Sequence, residues 1–137
     1  MIERILRKII RWLGFTVFLS LTPIFWALIY ARFHGLPFTW ASVATKGEFF
    51  LLTVAISGDA IGEIVGSNAE KAVSKLIVGA ILFITLVMSS FGFVDMIGSA
   101  KNGMEVIDAE VLYFSIWFLA TAIVAGSIGI GLSKDKN

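Results

Sequence analysis

Residues 76–94 read LIVGAILFITLVMSSFGFV, a run without a single charge. Crossing the hydrocarbon layer as a helix takes roughly 20 consecutive apolar residues, and this run is long enough. Two more uncharged stretches, 13–31 and 111–132, meet the same requirement. A fourth, residues 49–66, is interrupted by Asp59 and Glu63. The composition agrees: the 137 residues are 58% hydrophobic and only 15% charged, with a mean hydropathy of +0.91. Soluble domains carry about 25% charged residues, so too few polar side chains exist here to coat a water-soluble core. The expected fold is therefore an all-α integral membrane protein, a four-helix bundle forming one domain. A short amphipathic helix over 1–12 precedes spans at about 13–31, 47–66, 72–94 and 110–132. The absence of cysteine excludes a disulfide scaffold and any thiolate metal site.

The placement of charge orients the spans. Arg4, Arg7, Lys8 and Arg11 precede the first span, Lys71 and Lys75 the third, and Lys134 and Lys136 follow the last. Only Arg32, Lys46 and Lys101 fall on the other side. Basic residues concentrate in cytoplasmic loops, so both termini are expected in the cytoplasm of a multi-pass bacterial or archaeal cell-membrane protein. Trp12, Trp26, Tyr30, Trp40, Tyr113 and Trp117 lie near span ends, where amphipathic rings suit the interface. The first apolar run is too long for a signal peptide and lacks a prompt small-x-small cleavage site, so it is expected to be retained. Pro23 inside it predicts a kink that frees the Leu19 carbonyl.

Ile2, Ile5, Leu6, Ile9, Ile10 and Leu13 recur at helical spacing, with Arg4, Arg7, Lys8 and Arg11 opposite them. A basic amphipathic helix of this kind lies at a membrane surface. These four cations are the expected contacts for lipid or for an acidic cytoplasmic partner. Thr45-Lys46-Gly47-Glu48 and Ser67-Asn68-Ala69-Glu70 have the form of capping boxes at two helix starts. Gly66 is then expected as a left-handed helix terminator, closing a tight antiparallel hairpin. Asn102-Gly103 signals a turn. The lone His34 reads as an interfacial side chain, and no metal or cofactor is expected.

Asp59 and Glu63 are harder to explain as packing. At 1.5 Å per residue from Phe49, Asp59 comes about 15 Å into the layer, and Glu63 follows one turn later. An acid at the centre of a spanning helix costs roughly 2.5–3.5 kcal/mol, against about 0.3–0.6 kcal/mol returned per large apolar residue. Intramembrane acids mark ion or proton paths by default; the alternative is a neutral carboxyl hydrogen-bonded to Ser or Thr of another helix. No Lys or Arg occurs within the apolar stretches 13–31, 49–66, 76–94 and 111–132, so no intramembrane salt bridge is expected. Gly58, Gly62 and Gly66 form a GxxxGxxxG stripe beside the acids, matched in the last span by Ala122, Gly126, Ala125 and Gly129. Small residues at this spacing let helix backbones touch in lipid. A few helices hide two carboxyls poorly, so a homo-oligomer, most simply a tetramer, is expected to enclose them.

No phosphate-binding loop, nucleophile–His–acid set or HExxH motif is present, and the basic residues lack a nucleic-acid-binding fold. The expected function is non-enzymatic: an oligomeric pore, or a membrane-anchoring or signalling subunit of a larger complex. An autonomous ion channel is the alternative. A small multidrug-exporter type fits less well, because that family's acid lies in its first helix. The run Lys46-Gly47-Glu48-Phe49-Phe50-Leu51-Leu52, followed by Ser57-Gly58-Asp59-Ala60-Ile61-Gly62, resembles small prokaryotic four-helix proteins with a "GE…DAIG" second helix. Some of these are similar to membrane components of anti-phage defence, such as the Kiwa membrane subunit or the pore effectors of nucleotide-signalling systems. That resemblance implies a multimeric membrane sensor, effector or pore-like subunit working with a cytoplasmic protein. The orientation is checked with single-cysteine variants Asn102→Cys and Asn137→Cys in intact cells. A membrane-impermeant thiol reagent is expected to label the first and spare the second, and outside labelling of the second contradicts the assignment.

Overall fold

The computed structural model describes residues 2–37, 39–40, 43, 47–67, 71–104 and 108–133, and among these the chain is all-α. Helix α1 (Ile2–Trp12) continues through a π turn (Leu13–Val17) into α2 (Phe18–Phe33), making one 32-residue helix. Helices α3 (Glu48–Val65), α4 (Ala72–Asn102) and α5 (Asp108–Leu132) follow. Ile2–Phe33, Ala72–Asn102 and Ala109–Leu132 are long and apolar enough to cross a membrane. α3 is shorter, 18 residues, and carries Glu48, Asp59 and Glu63.

The short helix is the hub. α3 packs most extensively on α4 and α5, and more lightly on the π turn and α2. Its register is set by glycines. Gly92 of α4 sits under the Phe50 ring, where a Cβ would come within 2.8 Å of it. Gly129 of α5 faces both Ile64 of α3 and Val78 of α4, and Gly126 faces Trp12 and Ala60. These pairings make α3 antiparallel to α4 and parallel to α5. At the centre Ile56, Ala60, Leu82 and Ala122 are fully buried, joined by Ile64, Val78, Ala125 and Ile130. The outward faces of the long helices are apolar and uncovered, for example at Phe25, Trp26, Phe83, Phe91, Ile116 and Trp117.

Several local expectations are corrected. Helix α3 begins at Glu48, with Gly47 as its N-cap in a left-handed conformation (φ 77°) that glycine adopts without a Cβ penalty. Glu48 is thus the first helical residue and not the third residue of a capping box; Thr45 lies outside the described residues. The Ser67 hydroxyl donates to the Ile64 carbonyl at 2.7 Å, so it finishes α3 instead of starting α4. A hydroxyl next to a helix end has a ready acceptor three residues back. Gly66 is right-handed (φ −72°), and the left-handed residue is Lys71, directly before α4. Glu70 lies outside the described residues.

The first span is not a separate segment after an interfacial helix. The amphipathic α1 runs on into α2, and its apolar Ile5 and Ile9 face Gly131 near the end of α5. The Lys8 ammonium donates to the Ser133 carbonyl at 2.9 Å, where a cation complements the negative end of α5. The helix passes through Pro23 uninterrupted, and the wider turn lies at Leu13–Val17. Helix α4 extends eight residues beyond the expected boundary at 94 and ends at Gly103 (φ 64°). There Met104 N–H donates to Ser99 O and Gly103 N–H to Ala100 O, so the Asn102-Gly103 signal marks this terminus.

Close approach at Gly126 should be measurable. Gly126→Ala places a methyl carbon about 2.5 Å from the Trp12 ring, and overpacking of this kind costs about 1–3 kcal/mol. Gly79→Ala meets nothing within 4 Å and should be neutral or stabilising by up to ~1 kcal/mol from helix propensity. Thermal melts of detergent-solubilised protein compare the two. Equal melting of both variants contradicts the packing described.

Candidate functional site

Asp59 lies on the flank of α3 that meets the first helix. One of its oxygens, Oδ2, accepts a hydrogen bond from the Trp12 indole N–H at 2.6 Å and another from the Thr16 hydroxyl at 2.8 Å. Trp12 ends α1 and Thr16 belongs to the π turn, one helical turn apart, so both donors reach the same oxygen. Trp12 is buried against Gly126, whose lack of a side chain makes room for its ring. Hydrogen bonds to a charged group contribute about 1.5–3 kcal/mol each. Thr16 supplies a hydroxyl from another helix, as the alternative of a neutral hydrogen-bonded carboxyl requires, and the indole adds a second donor; the two contacts fit either protonation state.

Asp59 lies closer to the basic end of the first helix than the count from Phe49 predicted. That count assumed helices starting flush. In the structure Gly47 lies against Phe93 and Met96, six to nine residues before α4 ends at Asn102, or about 9–13 Å. α3 therefore starts below the end of α4, and its acids reach further toward the basic end. A cleft of about 220 Å³ there is lined by Lys8, Arg11, Trp12, Phe15, Thr16, Asp59, Glu63 and Ile130. The expected surface cations divide accordingly: Lys8 and Arg11 line the cleft, while Arg4 and Arg7 are exposed elsewhere on α1.

The glycine stripe of α3 is only lightly covered within the chain, by Leu86 of α4 at Gly58. A side chain at Gly62 would meet nothing within 4 Å, one at Gly58 only Leu86 at 3.8 Å, and one at Gly66 only carbonyls of α3 itself. The α5 half of the expected match behaves differently, since Ala122, Gly126 and Gly129 are buried. They pack against Trp12 and against Ala60 and Ile64, on the other side of α3 from the glycines.

Polar atoms also line the bundle interior. Thr53, Ser57, Ser89 and Ser115 are fully buried. Thr53 and Ser115 donate back to Phe49 and Leu112 carbonyls, and Thr85 does so to Ile81. Ser57 Oγ, Ser89 Oγ and Glu48 Oε2 are buried without a hydrogen-bond partner. Beyond them along α3 come Ala60 and Ile64, in one apolar cluster with Leu82, Val78 and Ala122. The polar seam is therefore stopped by an apolar layer and does not cross the chain. A wider cleft of about 680 Å³ between α4 and α5, with Asp95 and Glu110 on its wall, is otherwise mostly apolar.

Sequence reasoning found Asp59 and Glu63 but missed their surroundings. Trp12 was assigned to the interfacial belt, and Glu48 to a cap. The available signal was the Trp12-x-x-x-Thr16 pair, two donors one turn apart at the start of an apolar helix. His34 is exposed, stacked on Tyr30 at 4.1 Å with Nδ1 2.9 Å from the Tyr30 carbonyl. No protein-family model, curated protein or solved structure matches the chain.

Asp59→Asn keeps an oxygen that can accept from Trp12 and Thr16, whereas Asp59→Ala leaves the indole N–H without its acceptor. The alanine variant is expected to lose about 1–3 kcal/mol and the asparagine variant clearly less, by unfolding in mixed micelles. Equal stability of the two contradicts an acceptor role.

Proposed function

We propose that the chain is a multi-pass membrane subunit, with both termini cytoplasmic, that assembles into a symmetric homo-oligomer and acts as a pore-like sensor or effector. The observation that carries this reading is the uncovered face of α3. Gly62 is open, and Gly58 meets only the tip of Leu86, so a neighbour of the kind that small-residue stripes recruit in lipid has access there. Glu63 and the outward side of Asp59 are exposed beside them. Three helices apolar enough to cross a membrane support the membrane placement. The apolar layer inside the chain argues that any polar path runs between copies and not through one of them. A tetramer is the simplest closed arrangement that brings one such face from each copy to a common axis.

The resemblance of residues 46–62 to membrane components of anti-phage systems supplies the partner class, a cytoplasmic protein, and a bacterial or archaeal cell membrane as the setting. The exposed Arg4 and Arg7 on α1 suit an acidic surface on that partner. An autonomous ion channel uses the same acids without the partner.

The reading is tested in two steps. Gly62→Leu puts a bulky side chain where no intrachain contact exists, so the monomer fold should survive while the native mass of the assembly falls. An unchanged mass excludes this interface. In reconstituted vesicles the Asp59→Asn, Glu63→Gln double variant should assemble normally and lose most cation flux. Full flux from the double variant removes the conduction role, and wild-type flux only with an added cytoplasmic protein favours the partnered subunit over the autonomous channel.

A further inference from the structure

The cleft at Asp59 holds charges of both signs, of which Arg11 and Glu63 do not pair with one another. Arg11 and Glu63 line it together with Asp59, yet among the described residues neither Arg11 nor Glu63 makes an ion pair or hydrogen bond through its side chain. Asp59 spends one oxygen on Trp12 and Thr16. Opposite charges sharing one small cleft without contact leave room for a ligand that carries both signs itself.

The cleft continues onto hydrocarbon-like surface. Phe15 is part of its lining and is 67% exposed, and Phe18 and Leu19 beyond it are 61% and 63% exposed. An occupant with a zwitterionic head and an apolar tail matches this sequence of surfaces along the first helix. We propose that the cleft binds the headgroup of a primary-amine phospholipid, with its phosphate on Arg11 and its ammonium on Glu63 and Asp59. The proposal rests on the membrane placement given above. Arg presents a rigid fork of donors suited to phosphate oxygens. An ammonium with three N–H donors can satisfy carboxylate oxygens, which a quaternary choline cannot. An anionic glycerol headgroup leaves the two acids facing a phosphate with no cation between them. Trp12 and Phe15 flank the boundary between head and tail, the level that amphipathic rings prefer.

The test is native mass spectrometry of the full chain from micelles containing equal amounts of phosphatidylethanolamine, phosphatidylcholine and phosphatidylglycerol of identical acyl chains. Vesicle flotation of the same protein runs alongside. The wild type should retain phosphatidylethanolamine about tenfold over the other two, ~1.4 kcal/mol. Arg11→Gln with Glu63→Gln should abolish the preference, and Arg4→Gln with Arg7→Gln should leave it intact. Equal retention of the three lipids overturns the proposal. So does a phosphatidylglycerol preference lost with Arg4 and Arg7, which is diffuse basic attraction. Displacement of the lipid by soluble phosphoethanolamine at equal concentration also overturns it, because the tail then adds nothing. Failure to float with any vesicle defeats the membrane placement itself, whereas flotation without headgroup preference defeats the lipid site alone.

Discussion

The two hydrogen bonds onto Asp59 Oδ2 tie the first helix to the rest of the bundle. α1 and α2 touch the other helices sparingly: α1 on the end of α5, the π turn and α2 on α3. Where lipid is as apolar as the side chains, burial alone does not drive helices together. The Asp59 carboxyl, with two donors from the first helix, adds a directional tie between the two. The glycine at position 126 belongs to the same device. Without it the Trp12 ring could not lie flat enough against α5 to reach the acid.

That tie also decides which surfaces are left over. With α4, α5 and the first helix arranged around α3, its remaining face carries the open glycines and Glu63. The interior is closed by Ile56, Ala60, Ile64 and Leu82, so the buried hydroxyls of Thr53, Ser57 and Ser89 end against an apolar layer. The chain thus offers its polarity outward at two places. One is the face of α3, suited to copies of itself; the other is the mixed-charge cleft, suited to a headgroup. The proposed oligomer would use the first of these places and the proposed lipid site the second.

The long helices were legible because uninterrupted apolar runs such as residues 76–94 are long enough to form helices that could cross a membrane. The ends were less so. A short motif such as Thr45-Lys46-Gly47-Glu48 admits both a capping box and a glycine start, and the left-handed Gly47 uses the freedom peculiar to its residue type. The extension of α4 past Asp95 was hidden because one exposed acid ended the apolar count without ending the helix. The acids stood out for their cost in an apolar run. Their partners did not, since Trp12 and Asp59 are 47 residues apart in the chain and only the packing of Gly126 joins them. The same holds for the division of the small residues. Periodicity marked both stripes, but which one a neighbouring helix covers depends on the face of α3 that Ala60 and Ile64 turn inward.

The central claim is that Trp12 and Asp59 act as a unit, and a double-mutant cycle measures it directly. Trp12→Phe, Asp59→Ala and the combined variant are unfolded in lipid-containing micelles alongside the wild type. The account predicts a coupling of about 1–2 kcal/mol, within the range for residues sharing a hydrogen bond. Additive effects, agreeing within about 0.3–0.5 kcal/mol, would contradict it and leave the first helix held by packing alone.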